Sequence, residues 1–341
     1  MRKLVSLIAF CFVATVSLAQ DIHFSQFYAS PMTLNPSLTG KISSKYRMTG
    51  IYRSQWGSVS VPFITFSGSF DLPFLQKQLK KNFLGAGLVV LNDKSGTGAL
   101  TNQSVYVSLA YHQKMDRRYN PHHYLSFGIR GGVVQKSVDI NKLVFASSWD
   151  PISKQFGPIS LEKFSTSGTF TYADFDAGLS WSSYFSDMFS VWGGMTMHHL
   201  TQPKESFLLL YNSNTVINRR YTLNAGARIG VNERISINPT VLYLSQTAAS
   251  EFNLGSTVSF NLTDEKQNPA AFYVGLFYRL GDAAVAMTAF EVHNTRIGLS
   301  YDFNLSNLRL ASAARGGFEL SLVHEGNPET AQRKVIYCPR F

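Results

Sequence analysis

The chain has 341 residues and a formal net charge of +10, yet only 15% of its residues are charged while 13% are aromatic. Soluble domains carry about 25% charged residues, so this sparse charge argues against a surface wholly in water. Beyond Ala19 no stretch supplies the ~18–20 unbroken apolar residues of a spanning helix, and the basic residues are too scattered for a nucleic-acid surface.

Arg2 and Lys3 precede an apolar run from Leu4 to Val16, and Ser17, Leu18 and Ala19 lead to an expected cut at Gln20. This is the pattern of a secretory signal peptide over 1–19. Cys11 lies within the run behind Phe10, a poor context for lipid attachment, so no lipid anchor is expected. Cys338 is then the one cysteine left, which excludes an intramolecular disulfide. An exported, lipid-facing chain without spanning helices has one solution, a closed β-barrel in an outer membrane.

Residues 20–45 form a segment of their own, with the sequence DIHFSQFYASPMTLNPSLTG from Asp21 to Gly40. Each large side chain among Phe24, Phe27, Tyr28, Met32 and Leu34 gains ~1.5–3 kcal/mol on full burial. Pro31 and Pro36 favour short helical turns and end the preceding ones. The expectation is a compact plug in the periplasmic half of the barrel, with Phe24, Phe27, Tyr28, Met32, Leu34 and Pro36 as its interaction candidates. The alternative is a loose lead-in to the first strand.

The barrel is expected over 46–324. Tyr46, Met48, Tyr52 and Trp56 share one face of the first strand, and Arg47, Thr49, Arg53 and Gln55 the other. The same period-2 alternation marks 64–72, 104–112, 220–231 and 252–262. Weaker patterns over 83–91, 125–135, 175–183, 189–199, 235–243, 272–280, 284–292, 296–303 and 318–324 bring the total to about 14, an even number as in bacterial barrels. Pro239 is a mild objection to its strand. Many glycines fall within these strands, which suits a lumen that something fills.

Connection lengths fix an orientation. With the N-terminus periplasmic, odd-numbered connections face outward and are the long ones. The two longest, 136–172 and 200–219, fall fifth and seventh. The inward stretch 73–82 is unusually long and carries Lys77, Lys80 and Lys81, candidates for a periplasmic contact; a solvated basic turn is the plainer reading. Residues 325–341 form a polar tail that displaces the terminal Phe341 from the last strand.

No site for chemistry emerges. The pairs His122-His123 and His198-His199 lie in strands, where neighbours point to opposite faces, so neither pair is expected to chelate a metal as a unit. Lumenal Asp174, Asp176, Asp302 and Glu319 are expected to pair with Arg130, Arg228, Arg279 and Arg296. No nucleophile elbow or nucleotide loop is present. No catalysis, cofactor or metal is expected.

The stretch QDIHFSQFYASPMTLNPSLTG, followed by YRSQW at Tyr52 to Trp56, resembles the N-terminal signature of the PorP/SprF family, outer-membrane barrels of the type IX secretion system of Bacteroidota. DKSGTG at Asp93, LAYH at Leu109, YDFNLSNL at Tyr301, GGFELSL at Gly316 and the terminal CPRF extend the resemblance along the chain. It implies a non-catalytic role in the secretion and gliding machinery, with other type IX components, a secreted adhesin or periplasmic ring proteins as partners, and outer-membrane lipid as surroundings. The competing reading is a passive pore or hydrophobic-solute channel, against which lumenal Tyr106, Trp192 and Phe277 speak.

Overall fold

Side chains alternate across an extended chain, and here the alternation closes into a cylinder. The computed structural model describes residues 21–328 apart from 60, 80, 116–121, 158–167, 208–214, 264–269 and 308. The first five strands are β1 (Ser44–Gln55), β2 (Phe63–Phe74), β3 (Phe83–Ser95), β4 (Leu100–Lys114) and β5 (His122–Ser137). β6 (Trp149–Asp150) and β7 (Gln155–Phe156) form a separate small hairpin. The barrel resumes with β8 (Thr169–Ser186), β9 (Phe189–His198), β10 (Arg220–Gly230), β11 (Ile235–Gln246) and β12 (Ala249–Asn261). It ends with β13 (Ala270–Arg279), β14 (Ala283–Val292), β15 (Thr295–Asn304) and β16 (Arg315–Pro328). Apart from the β6–β7 hairpin these are fourteen antiparallel neighbours, closed where β16 pairs with β1 from Ser44↔Pro328 to Gln55↔Gly317.

The strands match the sequence expectation in number and order, with differences at their ends. β16 continues past His324, because Glu325, Gly326 and Pro328 pair with Arg47, Tyr46 and Ser44; part of the expected 325–341 tail is therefore barrel. The leader 1–19, residues 329–341 and Lys80 lie outside the described residues. Pro239 is accommodated because the β10–β11 pairing lapses between Gly226↔Thr240 and Ile229↔Ile237, so its missing N–H costs no ladder bond.

The faces divide as expected of a barrel in lipid. Met48, Phe66, Val107, Ile129, Leu223 and Leu276 project outward and are exposed, whereas Arg47, Thr49 and Arg53 of β1 are buried in the interior. One end of the cylinder carries the connections 138–168 and 199–219; the other carries turns as short as 187–188 and 293–294. By the asymmetry of bacterial outer-membrane barrels, the long-connection end is expected to be extracellular. Ser153 sits exposed at the tip of the β6–β7 hairpin, its N–H and hydroxyl both donating to Asp150. An epitope inserted beside Ser153 is expected to bind antibody on intact cells; binding only after the outer membrane is ruptured would invert this orientation.

Candidate functional site within the lumen

The segment ahead of β1 runs through the inside of the barrel. Pro31 opens a single helical turn, Pro31–Leu34, and Pro36 opens a second, Pro36–Leu38, as the fixed proline φ favours. Asn35 joins them: its side-chain oxygen accepts from the Ser37 N–H (2.9 Å), and its amide donates to the carbonyls of Leu179 (3.0 Å) and Met195 (3.3 Å). Gly40 turns the chain toward β1 with φ +70°.

Three apolar contacts hold this path. Phe27, Leu34 and Leu38 pack on Leu242, Phe277 and Met287 of the β11, β13 and β14 wall. Met32 enters a pocket of Val89, Tyr106 and Val134, and Phe24 and Ala29 cover Ile51. Tyr28 is half-buried, its ring stacked 6.3 Å from that of Phe277. Pro36 passes so close to β5 that a Cβ on Gly128 would lie 2.3 Å from its carbonyl carbon; one on Gly85 would lie 1.9 Å from the Thr39 oxygen. These two strand glycines are the groove in which the segment lies.

The depth of the segment differs from expectation. Its 35–42 end meets Gly85, Asp71 and His112 near the short-turn mouth, but its other end climbs to the opposite half. There the Asp21 N–H donates to Gln246 Oε1 (3.2 Å), and Glu319 Oε1 and Oε2 accept from the N–H groups of Ser25 (2.7 Å) and Gln26 (2.8 Å). The segment therefore runs through both halves of the barrel: the polar partners its first residues need lie at the same end of the cylinder as the long connections.

The expected ion pairs form in part. Arg130 pairs with Asp176, and Arg279 with Asp302 at 3.2 Å. Glu319 instead meets Arg53 (3.4 Å), Arg296 meets Glu291 (3.0 Å), and Arg228 reaches Ser236 Oγ (3.4 Å). A further buried pair joins Arg47 to Asp71 (2.7 Å). Lys77 and Lys81 are exposed in the 75–82 turn.

The pair His198-His199 does not keep to opposite faces as strand alternation predicts. His199 follows β9 with φ +56°, which breaks the strand alternation. Both members of the pair therefore reach lumenal carboxylates: His198 Nδ1 lies 3.4 Å from Asp176, while His199 Nδ1 lies 2.9 Å from Asp174 and its Nε2 2.6 Å from Asp21. Asp174, Asp176 and His199 bring ligand atoms within 4.8 Å of one another, the spacing of a metal centre. Those atoms are already committed, however. Asp174 accepts from Tyr106 (3.0 Å), and Asp176 accepts from Arg130 and from the His199 N–H (3.0 Å). The cluster is an ion-pair network that ties Asp21 to the wall, with Arg220 3.6 Å from the same carboxylate.

Burial opposes a charge on His199, but the carboxylates of Asp174 and Asp21 outweigh it and hold the imidazolium up to about 9. Burial, with Arg53 and Arg279 beside it, pushes His23 down to about 3, so it meets Glu251 (3.0 Å) as a neutral ring. For His199 the folded value exceeds the ordinary 6.5, so its stabilisation is complete below that pH and is lost as the pH rises past about 9. A cysteine at Ile22 is expected to react faster with a thiol reagent as the pH passes about 9, beyond the reagent's own pH dependence measured at an exposed cysteine. In His199→Gln that extra acceleration should be absent and the reaction fast throughout; an unchanged pH response in this variant would remove His199 as the tether.

Residues 16–324 match the family model described as type IX secretion system membrane protein PorP/SprF. No curated protein matches the chain. Among solved structures, the toluene transporter TbuX of Ralstonia pickettii is 8% identical, with 86% of this chain and 92% of that chain covered and a TM-score of 0.48. The KdgM porin is 9% identical over 81% of this chain and 98% of its own, with a TM-score of 0.37. CdiB from Escherichia coli is 9% identical over 81% and 62%, with a TM-score of 0.42. None of these scores supports a shared function.

Proposed function

Because the chain belongs to the PorP/SprF family of type IX secretion system membrane proteins, and is an outer-membrane barrel of that system, we propose that it is a non-catalytic docking component rather than a conduit. In this reading it supports the export or surface attachment of a partner adhesin, or contacts periplasmic ring components. The observation that carries the reading is the occupied lumen: Phe24, Phe27, Met32, Leu34 and Leu38 are all buried inside the cylinder. A filled barrel offers partners its two ends. The extracellular end presents the 138–168 and 199–219 connections. The periplasmic end presents the turn with Lys77 and Lys81, with Lys80 in the same stretch of sequence. The segment acts as a seal that keeps the lumen closed while these ends are engaged.

The test is affinity purification in mild detergent with mass spectrometry of what co-purifies, alongside surface display of adhesins in cells lacking the protein. Type IX components and a lost adhesin are the expected results. Normal display together with porin-like conductance of the intact protein would overturn the reading in favour of a passive pore.

A further inference from the structure

The wall of the lumen holds the segment's side chains, among them Ser25, Gln26 and Asn35, and it also grips the segment's main chain at many points. Arg53 donates to the carbonyl of His23, Arg130 to that of Met32 (3.1 Å), Arg47 to that of Leu38 (3.2 Å) and Arg220 to that of Ile22 (3.2 Å). The His112 ring, through Nε2, donates to the Thr39 carbonyl (2.8 Å), and Thr196 to that of Leu34 (3.2 Å). In the other direction Glu319 accepts the amides of Ser25 and Gln26, and Asp71 accepts that of Gly40 (2.7 Å). Buried peptide groups need such partners in the absence of water.

Three of these donors are held by carboxylates of the wall itself. Arg47 is anchored on Asp71 through Nε (3.0 Å) and Nη2 (2.7 Å), Arg130 on Asp176, and Arg53 on Asp302 and Glu319. Each of these arginines spends part of its guanidinium on a wall carboxylate and directs an N–H at a carbonyl of the segment. Pre-placed donors lower the ordering cost of binding. The backbone groove at Gly85 and Gly128 is likewise a property of the wall.

We infer that the lumen is a polypeptide-binding site that recognises main chain, and that residues 21–43 are an exchangeable ligand of it which happens to be covalently attached. The ligand class is a turn-rich polypeptide segment with apolar side chains at the Phe27, Met32 and Leu34 positions. The inference stands on the wall geometry and does not depend on the export role.

The experiment uses the full chain with a protease site placed at Ser43, cut after folding and purification. A synthetic peptide of residues 21–43, isotopically labelled, is added in excess to the nicked barrel, and its incorporation is followed by mass spectrometry. Saturable exchange, competed by unlabelled peptide, is expected. No exchange over days in a barrel that keeps its unboiled gel mobility overturns the inference. A second peptide carries glycolic acid in place of Gly40, a backbone ester that exchanges only the N–H that Asp71 accepts for an oxygen. It should compete about tenfold or more less well, the usual weight of a hydrogen bond to a charged group. Competition equal to that of the parent peptide would overturn main-chain recognition, and Arg130→Met should weaken both peptides alike.

Discussion

Deletion of residues 24–36 is expected to turn a closed barrel into a conducting one. In planar bilayers the shortened protein should show sustained channel steps, with mean conductance raised on the order of tenfold or more, since width grows with strand number. Side chains alone fill a barrel of about eight strands, and barrels of 16–18 leave an aqueous channel; fourteen strands fall between, so something must occupy the centre. The deleted residues include Phe24, Phe27, Met32 and Leu34, which supply much of the segment's apolar packing. Their loss exposes Arg53, Arg130, Asp176 and Asp302, a polar wall that water and ions can enter. Gly128→Val tests the same point without shortening the chain. Its side chain would begin 2.3 Å from the Pro36 backbone, a contact the wall cannot relieve by rotating a side chain. If both variants reach the outer membrane and neither conducts more than the parent, the segment is not the seal.

The second large effect is expected at Asp71. This carboxylate is fully buried, is gripped by Arg47 through two nitrogens, and accepts the Gly40 amide. Asp71→Ala leaves the Arg47 guanidinium buried without its counter-charge, a loss of about 3–5 kcal/mol for breaking such a pair. Urea titration of the folded and unfolded gel bands should show the shift. Replacing both partners, Arg47→Met with Asp71→Leu, should recover much of it, because an apolar pair carries no stranded charge. A double variant as unstable as Asp71→Ala would mean that the ion pair is not the cause, and that the contacts to Leu38 and Gly40 are.

Much of the architecture was legible because its causes are local. A side chain in a strand points in or out by parity alone, so Met48 and Tyr52 against Arg47 and Arg53 gave the two faces of β1 before any fold was known. The low charge content, the order of the strands and the two long connections followed from the same one-dimensional record. The apolar residues of 21–43 called for burial, and the strand glycines pointed to a filled interior, without saying how deep the filling went.

What only the tertiary structure decided depends on closure. Arg53 meets Asp302, and Ser25 and Gln26 meet Glu319, across separations of more than two hundred residues. Parity says that each of these faces inward, but only the curvature and register of a closed sheet say which inward groups are opposite. Asp21 reaches His199 for the same reason, helped by one left-handed residue that strand periodicity could not announce. The depth of the segment is set by where the wall offers peptide partners, at Glu319 and Gln246 at one end and at Asp71 and His112 at the other. Those partners come from strands distant in sequence, so their positions exist only once the barrel has closed around the chain.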